Sequence, residues 1–233
     1  MSFLINSIMW LISLVTPRAA EWLAPPIARL IWRLNARRRN TTLINLQLCY
    51  PELSEEQRVA VGRDSMTHYV RNVLEAGMVW HWPEQRLLAL FEEAAGKHFL
   101  DEARAKGRGV IIAAPHFGSW ELCNLFLKDE WDGAVLYKAG RNETFDKALR
   151  DSRSRTGIRM VPADQSGLKA IYKHLRAGRA VGILPDQEPS FGDGEFAPFM
   201  GISTMTSILI PRLVARTGAV VVFVACQRLP GGR

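Results

Sequence analysis

The run Val110-Ile111-Ile112-Ala113-Ala114, followed at once by Pro115 and His116, constrains this chain more than any other stretch. Five apolar residues without polar alternation predict a strand whose two faces are both covered, as in the centre of an α/β sheet. Proline disfavours helix at the residue before it, so the chain turns after Ala114. Similar runs at 134–137, 180–184 and 220–226 read as further strands. Helical patterns lie between them, at 99–105, 119–128, 144–155 and 167–175. Gly178 closes the last of these. Strands alternating with helices imply an α/β fold, with a mostly parallel central sheet covered by helices. Upstream, Ser54-Glu55-Glu56-Gln57 is a capping box that opens a helix running to about Trp80.

The N-terminus has a different character. Residues 3–15, FLINSIMWLISLV, carry no charge, and residues 22–34, WLAPPIARLIWRL, are again largely apolar. The first run is short of the roughly 20 apolar residues that a spanning helix needs. It also lacks the positive leader of a signal peptide. An interfacial anchor, a short or tilted spanning helix and a core helix all fit. Arg18, Arg29, Arg33 and Arg37 to Arg39 follow or flank these runs. Arginines on that side keep the body of the protein cytoplasmic and place cations against anionic headgroups. The reading adopted is an N-terminal membrane-anchoring segment over 1–35 and a main domain over 36–233, on the cytoplasmic face of a membrane.

The net charge of +7 suits an anionic partner. Helix-turn-helix, zinc-finger and aromatic RNA-binding signatures are missing, so nucleic acid is not the expected partner. Cys49, Cys123 and Cys226 are odd in number and far apart, which argues for reduced thiols in a cytosolic setting.

His116 ends the central strand. In α/β folds, functional groups collect beyond the carboxyl ends of the strands. Gly118 lets the backbone turn, and a helix beginning near Ser119 aims its unpaired N–H groups at the same space. With His116 in the turn and Glu121 in the first helical turns, the acid is expected to fold back onto the imidazole. A carboxylate there would fix the tautomer and leave the other ring nitrogen as a general base. A nucleophile elbow of the G-x-S-x-G type and an H-E-x-x-H zinc helix are both lacking. A base without a protein nucleophile suggests that the substrate supplies the attacking hydroxyl, with no metal required. Arg141, Arg150, Arg153, Arg155 and Arg159 crowd one region, where they form either a solvated basic face or a phosphate site. Asn142 follows the strand at 134–137 and is a candidate for orienting substrate. Asp186 follows the strand at 180–184, on the same sheet edge as His116. It would bind substrate or pair with one of the arginines.

These residues carry a resemblance. HFGSWEL at 116–122 resembles the H-x4-D/E motif of glycerolipid-type acyltransferases, in the lysophospholipid acyltransferase superfamily. The sequence is most similar to the late acyltransferases of lipid A biosynthesis, the lauroyl and myristoyl type. RRRNTTLINLQLCYPELSEEQR, YKAGRN, RSRTGIRMVP, GILPDQEP and FAPFMGISTMT match in the expected order over nearly the whole chain. Members of that family usually continue for several dozen residues more, so a C-terminally truncated form is expected. The resemblance implies transfer of an acyl chain from a thioester to a hydroxyl of a membrane lipid. The donor would be acyl carrier protein or coenzyme A. The acceptor would be a lipid A precursor, and no cofactor is involved. It favours Arg153 and Arg155, in the R-S-R-x-G piece, as the phosphate-binding pair. Other acceptors remain open (a different glycolipid, a lysophospholipid or an aminolipid), as does a non-catalytic membrane-associated homologue.

Overall fold

The computed structural model describes residues 2–127, 132–137, 140, 143–154, 158–189 and 192–231. The chain opens with three helices, α1 (Ser2–Ser13), α2 (Pro17–Leu34) and α3 (Ala36–Cys49). All three lie on the 27-residue α4 (Glu55–His81). The predicted capping box starts α4: the Ser54 side chain accepts from Gln57 N–H at 3.2 Å, and the Gln57 side chain accepts from Ser54 N–H at 2.8 Å.

Spacing explains how α2 packs. Ala20, Ala24, Ala28 and Trp32 recur every four residues and are all buried. They share one face of the helix, on which Ala24, Ala28 and the Trp32 ring pack with Met66 and Val70 of α4. This contact holds α2 helical through Pro25 and Pro26, although interior prolines each remove a backbone hydrogen bond. α1 comes closer still. A Cβ added at Gly77 of α4 would fall 2.6 Å from the backbone nitrogen of Ser13. The indole N–H of Trp82 donates to the Ser13 carbonyl at 2.8 Å, satisfying one open carbonyl at the end of α1. Among the described residues, no helix is long and apolar enough to cross a membrane. At about 1.5 Å per residue, α1 covers only about 18 Å of a roughly 30 Å hydrocarbon core.

Two short helices follow, α5 (Glu84–Leu88) and α6 (Lys97–Ala105). The sheet is then built from β1 (Val110–Ala113), β2 (Ala134–Tyr137), β3 (Arg159–Pro162), β4 (Ala180–Ile183) and β7 (Val220–Phe223). Its order is β3-β2-β4-β1-β7 and every pairing is parallel. β1 sits between β4 and β7, and all four of its residues are buried. Ile111 packs with Val181, Ile171, Leu175 and Leu213, on the side covered by α8 (Gln165–Arg176) and α9 (Leu209–Thr217). Val110 and Ile112 face the other way, towards Ala103 of α6. Burying an aliphatic side chain of this size contributes roughly 1.5–3 kcal/mol, so both faces of β1 hold the sheet between its helices.

α7 (Glu143–Ser154) lies against α1 and α4 through Ala148 and Leu149. Between β4 and α9 the chain makes an antiparallel hairpin, β5 (Gly194–Phe199) and β6 (Ile202–Ser207). Met200 and Gly201 form its two-residue turn, with φ of 49° and 80°. This hairpin, β3 and α9 were not expected from the residue pattern. The strand expected over 220–226 ends at Phe223, and Cys226 instead makes a single parallel bridge with Gly118.

Candidate active site

β1 and β4 are neighbours in register, with Ala113 opposite Ile183. Three residues beyond each of these positions stand His116 and Asp186, each directly after a proline. Equal offsets from paired strand ends bring the two side chains together. Asp186 Oδ1 lies 2.9 Å from His116 Nδ1, and Asp186 Oδ2 accepts the His116 backbone N–H at 2.8 Å. Burial pushes the Asp186 carboxyl up. The hydrogen bonds from the His116 side chain and backbone, together with the imidazole's charge, outweigh it and hold the group below its ordinary value. An ionised carboxylate on Nδ1 selects the tautomer with the proton on that nitrogen. Nε2 then keeps its lone pair, and the Gln187 amide nitrogen lies 3.3 Å from it.

The carboxylate on the imidazole is therefore Asp186, in place of the expected Glu121. Local geometry accounts for the difference. After His116 the chain makes a tight turn, with Phe117 N–H donating to Pro115 O at 2.7 Å. Gly118 then adopts a left-handed conformation with φ of 60°. A Cβ at this position would fall 1.8 Å from the Cys226 carbonyl oxygen, so only glycine fits. Ser119 N–H donates to that same oxygen at 3.0 Å. The helix expected over 119–128 is present as a 3-10 helix, Trp120–Leu127. Trp120 meets the imidazole edge-on, with ring centroids 4.9 Å apart.

Glu121 points to Arg153 on α7. Arg153 Nε donates to Glu121 Oε2 at 3.1 Å, and Arg153 Nη2 pairs with Glu121 Oε1. Both side chains are largely buried, 14% and 15% exposed, so the fork is shielded from solvent screening. The Arg153 guanidinium carbon stands 5.5 Å from the centre of the Trp120 ring. Trp120 thus touches a member of both pairs, the imidazole held by Asp186 and the guanidinium held by Glu121.

The structure brings together four of the six candidate residues, in two pairs. Asn142 and Arg155 lie outside the described residues. Substrate or an arginine was expected to engage Asp186; among the described residues it pairs with His116. Gln187 was missed as a neighbour of the site. Among the described residues, no group of three or more His, Cys, Asp or Glu side chains is placed to hold a metal ion.

Comparison with known proteins agrees with the resemblance read from the motifs. The lipid A biosynthesis lauroyltransferase of Escherichia coli K12 is 26% identical over 97% of this chain and 73% of its own length. The palmitoleoyltransferase of the same organism is 28% identical over 73% of this chain and 55% of its own length. The myristoyltransferase is 27% identical over 87% and 62% respectively. The chain thus spans only part of these relatives. The bacterial lipid A biosynthesis acyltransferase family matches residues 1–233, the whole chain, and this protein belongs to that family.

Proposed function

We propose that the protein moves an acyl chain from a thioester to a hydroxyl of a lipid A precursor, with His116 as the general base. The observation that carries this reading is the 2.9 Å contact of Asp186 with His116 Nδ1, which leaves Nε2 as the basic nitrogen. The acceptor hydroxyl displaces the Gln187 amide and gives its proton to Nε2 as its oxygen attacks the thioester carbonyl. Asp186 stabilises the imidazolium so formed. Collapse of the tetrahedral intermediate breaks the C–S bond, and the departing sulfur takes the proton back from Nε2. The thiol product is acyl carrier protein or coenzyme A.

Glu121 acts here through Arg153. It fixes the guanidinium beside Trp120, where Arg153, with Arg155, would meet a phosphate of the acceptor. Asn142 is proposed to orient the substrate. Glu121 is therefore a positioning residue in this reading, and the base depends on Asp186.

The lipid substrate is reached at the cytoplasmic face of the inner membrane. Leu23, Ile27, Leu30 and Leu34 form one exposed stripe along α2, beside Trp22, which is 82% exposed. Arg29, Arg33, Arg37 and Arg38 are exposed nearby. An apolar stripe bordered by arginines suits a helix lying in the interface of an anionic bilayer. Residues 1–35 would thus hold the catalytic domain, 36–233, against the membrane without crossing it.

The test is acyl transfer from acyl carrier protein to a lipid A precursor by purified His116→Ala. Removing a general base lowers the rate roughly 10²–10⁴-fold. Wild-type turnover by the folded variant would overturn the assignment.

A further inference from the structure

Cys123 and Cys226 play no part in the chemistry above. They lie far apart in sequence but share the wall of one cavity of about 880 Å³. Cys123 is buried on the 3-10 helix, while Cys226 is half-buried and packs against the cluster containing Leu122 and Leu125. Backbone contacts fix their approach. Gly118 is bridged to Cys226, and Ser119 N–H donates to the Cys226 carbonyl at 3.0 Å. The two thiols are near enough to shift each other's ionisation. The third cysteine, Cys49, sits at the end of α3 and does not line this cavity.

We propose that Cys123 and Cys226 are a reversible oxidation site, in which a peroxide entering through the cavity oxidises Cys226 and Cys123 then closes a disulfide. In the first step the Cys226 sulfur attacks one peroxide oxygen and the O–O bond breaks. This gives a sulfenic acid and hydroxide, which becomes water with the thiol's proton. In the second step the Cys123 sulfur attacks the sulfenic sulfur, the S–S bond forms and the S–O bond breaks. The leaving hydroxide takes the Cys123 proton. Two thiols and one peroxide become one disulfide and two waters.

The order of attack follows from the surroundings. The Cys123 thiol lowers the Cys226 value, and the Arg228 guanidinium and the Ser119 N–H add to this. Burial and the Glu75 carboxylate oppose them, and the net direction is down. Cys123 goes the other way, raised by Cys226 and by burial. Cys226 is thus the thiol with more thiolate character and the better access, as an attacking cysteine requires. The bond would tie the 3-10 helix carrying Trp120 and Glu121 to the segment after β7. It would report redox state at a segment adjoining His116. The proposal does not depend on the acyl-transfer reading.

The experiment treats the full chain with hydrogen peroxide, alkylates the remaining thiols and analyses tryptic peptides by mass spectrometry. The expected product is peptide 109–128 linked to peptide 217–228, with the loss of two hydrogens and reversal by dithiothreitol. Cys49 should stay alkylatable. In Cys123→Ser, Cys226 should accumulate as a sulfenic acid that dimedone captures. In Cys226→Ser, Cys123 should stay reduced. Both thiols remaining alkylatable in the wild-type chain, or a Cys226 link to Cys49 instead, would overturn the proposal. So would oxidation of Cys123 in the Cys226→Ser chain.

Discussion

Asp186 holds His116 at two points, with one carboxylate oxygen on the ring nitrogen Nδ1 and the other on the backbone N–H. The backbone bond fixes where the histidine sits, and the ring bond fixes which nitrogen is basic. A carboxylate that reached the ring alone would leave the turn after Pro115 less constrained.

This double contact has a pH signature. The folded value of Asp186 is depressed, so the contact stabilises the fold above the ordinary aspartate value of about 3.9. That contribution is lost as pH falls through the lower, folded value. Denaturant unfolding of wild type and Asp186→Asn at pH 7 and at successive steps below pH 4 checks this. The stability gap between the two proteins should narrow towards the acid end. A gap that stays constant would mean that Asp186 does not titrate differently in the folded state.

Glu121 and Arg153 should behave as a unit. Removing one member leaves the other charge largely buried without this partner, and a charged hydrogen bond is worth roughly 1.5–3 kcal/mol. A double-mutant cycle on unfolding with Glu121→Gln and Arg153→Met should show coupling of that order. In transfer assays, Arg153→Lys should raise the apparent KM for a phosphorylated acceptor more than for its dephosphorylated form. An ammonium cannot replace the fork. Equal effects on the two acceptors would remove the phosphate from the account.

The two faces of α2 should respond differently to substitution. Leu23→Glu with Leu30→Glu alters only exposed positions and should leave the melting temperature near wild type. It should weaken sedimentation with anionic vesicles by roughly 10–100-fold, since each side chain gives up part of its 1.5–3 kcal/mol burial. Ala24→Leu alters the packed face, where Ala24 is fully buried, and overpacking there should cost about 1–3 kcal/mol. Unchanged vesicle binding in the double glutamate variant would place the membrane contact elsewhere.

Much of this fold was legible because its signals are local. The apolar run at 110–114 identified the central strand, and Ser54 with Gln57 identified the start of α4. The hairpin at 194–207 was harder to read, because its strands alternate poorly and its turn is Met-Gly, a weaker mark than Asn-Gly. α2 was obscured by Pro25 and Pro26, whose local preference is overridden by packing on α4. At the site, His116 was legible and its partner was not. Sequence spacing favoured Glu121, five residues away, whereas the contact depends on the pairing of β1 with β4. One trace of it stands in the sequence. Ala-Ala-Pro-His at 113–116 and Ile-Leu-Pro-Asp at 183–186 are parallel strand ends, each carrying a functional group just after a proline.

Gln187 offers a finer test of the base. Its amide meets the nitrogen that the acceptor hydroxyl is proposed to occupy. Gln187→Ala should keep the rate within about tenfold of wild type, because substrate replaces that contact during turnover. A loss as large as that of His116→Ala would make the amide part of the catalytic step.

The central claim is that Asp186, and not Glu121, makes His116 a base. The direct measurement is kcat for acyl transfer by Asp186→Asn beside Glu121→Gln, with both proteins shown to be folded. Asn at 186 favours the wrong tautomer and should lower kcat roughly 10²–10⁴-fold with little change in KM. Glu121→Gln should act mainly on KM. Near-wild-type kcat in Asp186→Asn, with kcat lost in Glu121→Gln, would contradict the account.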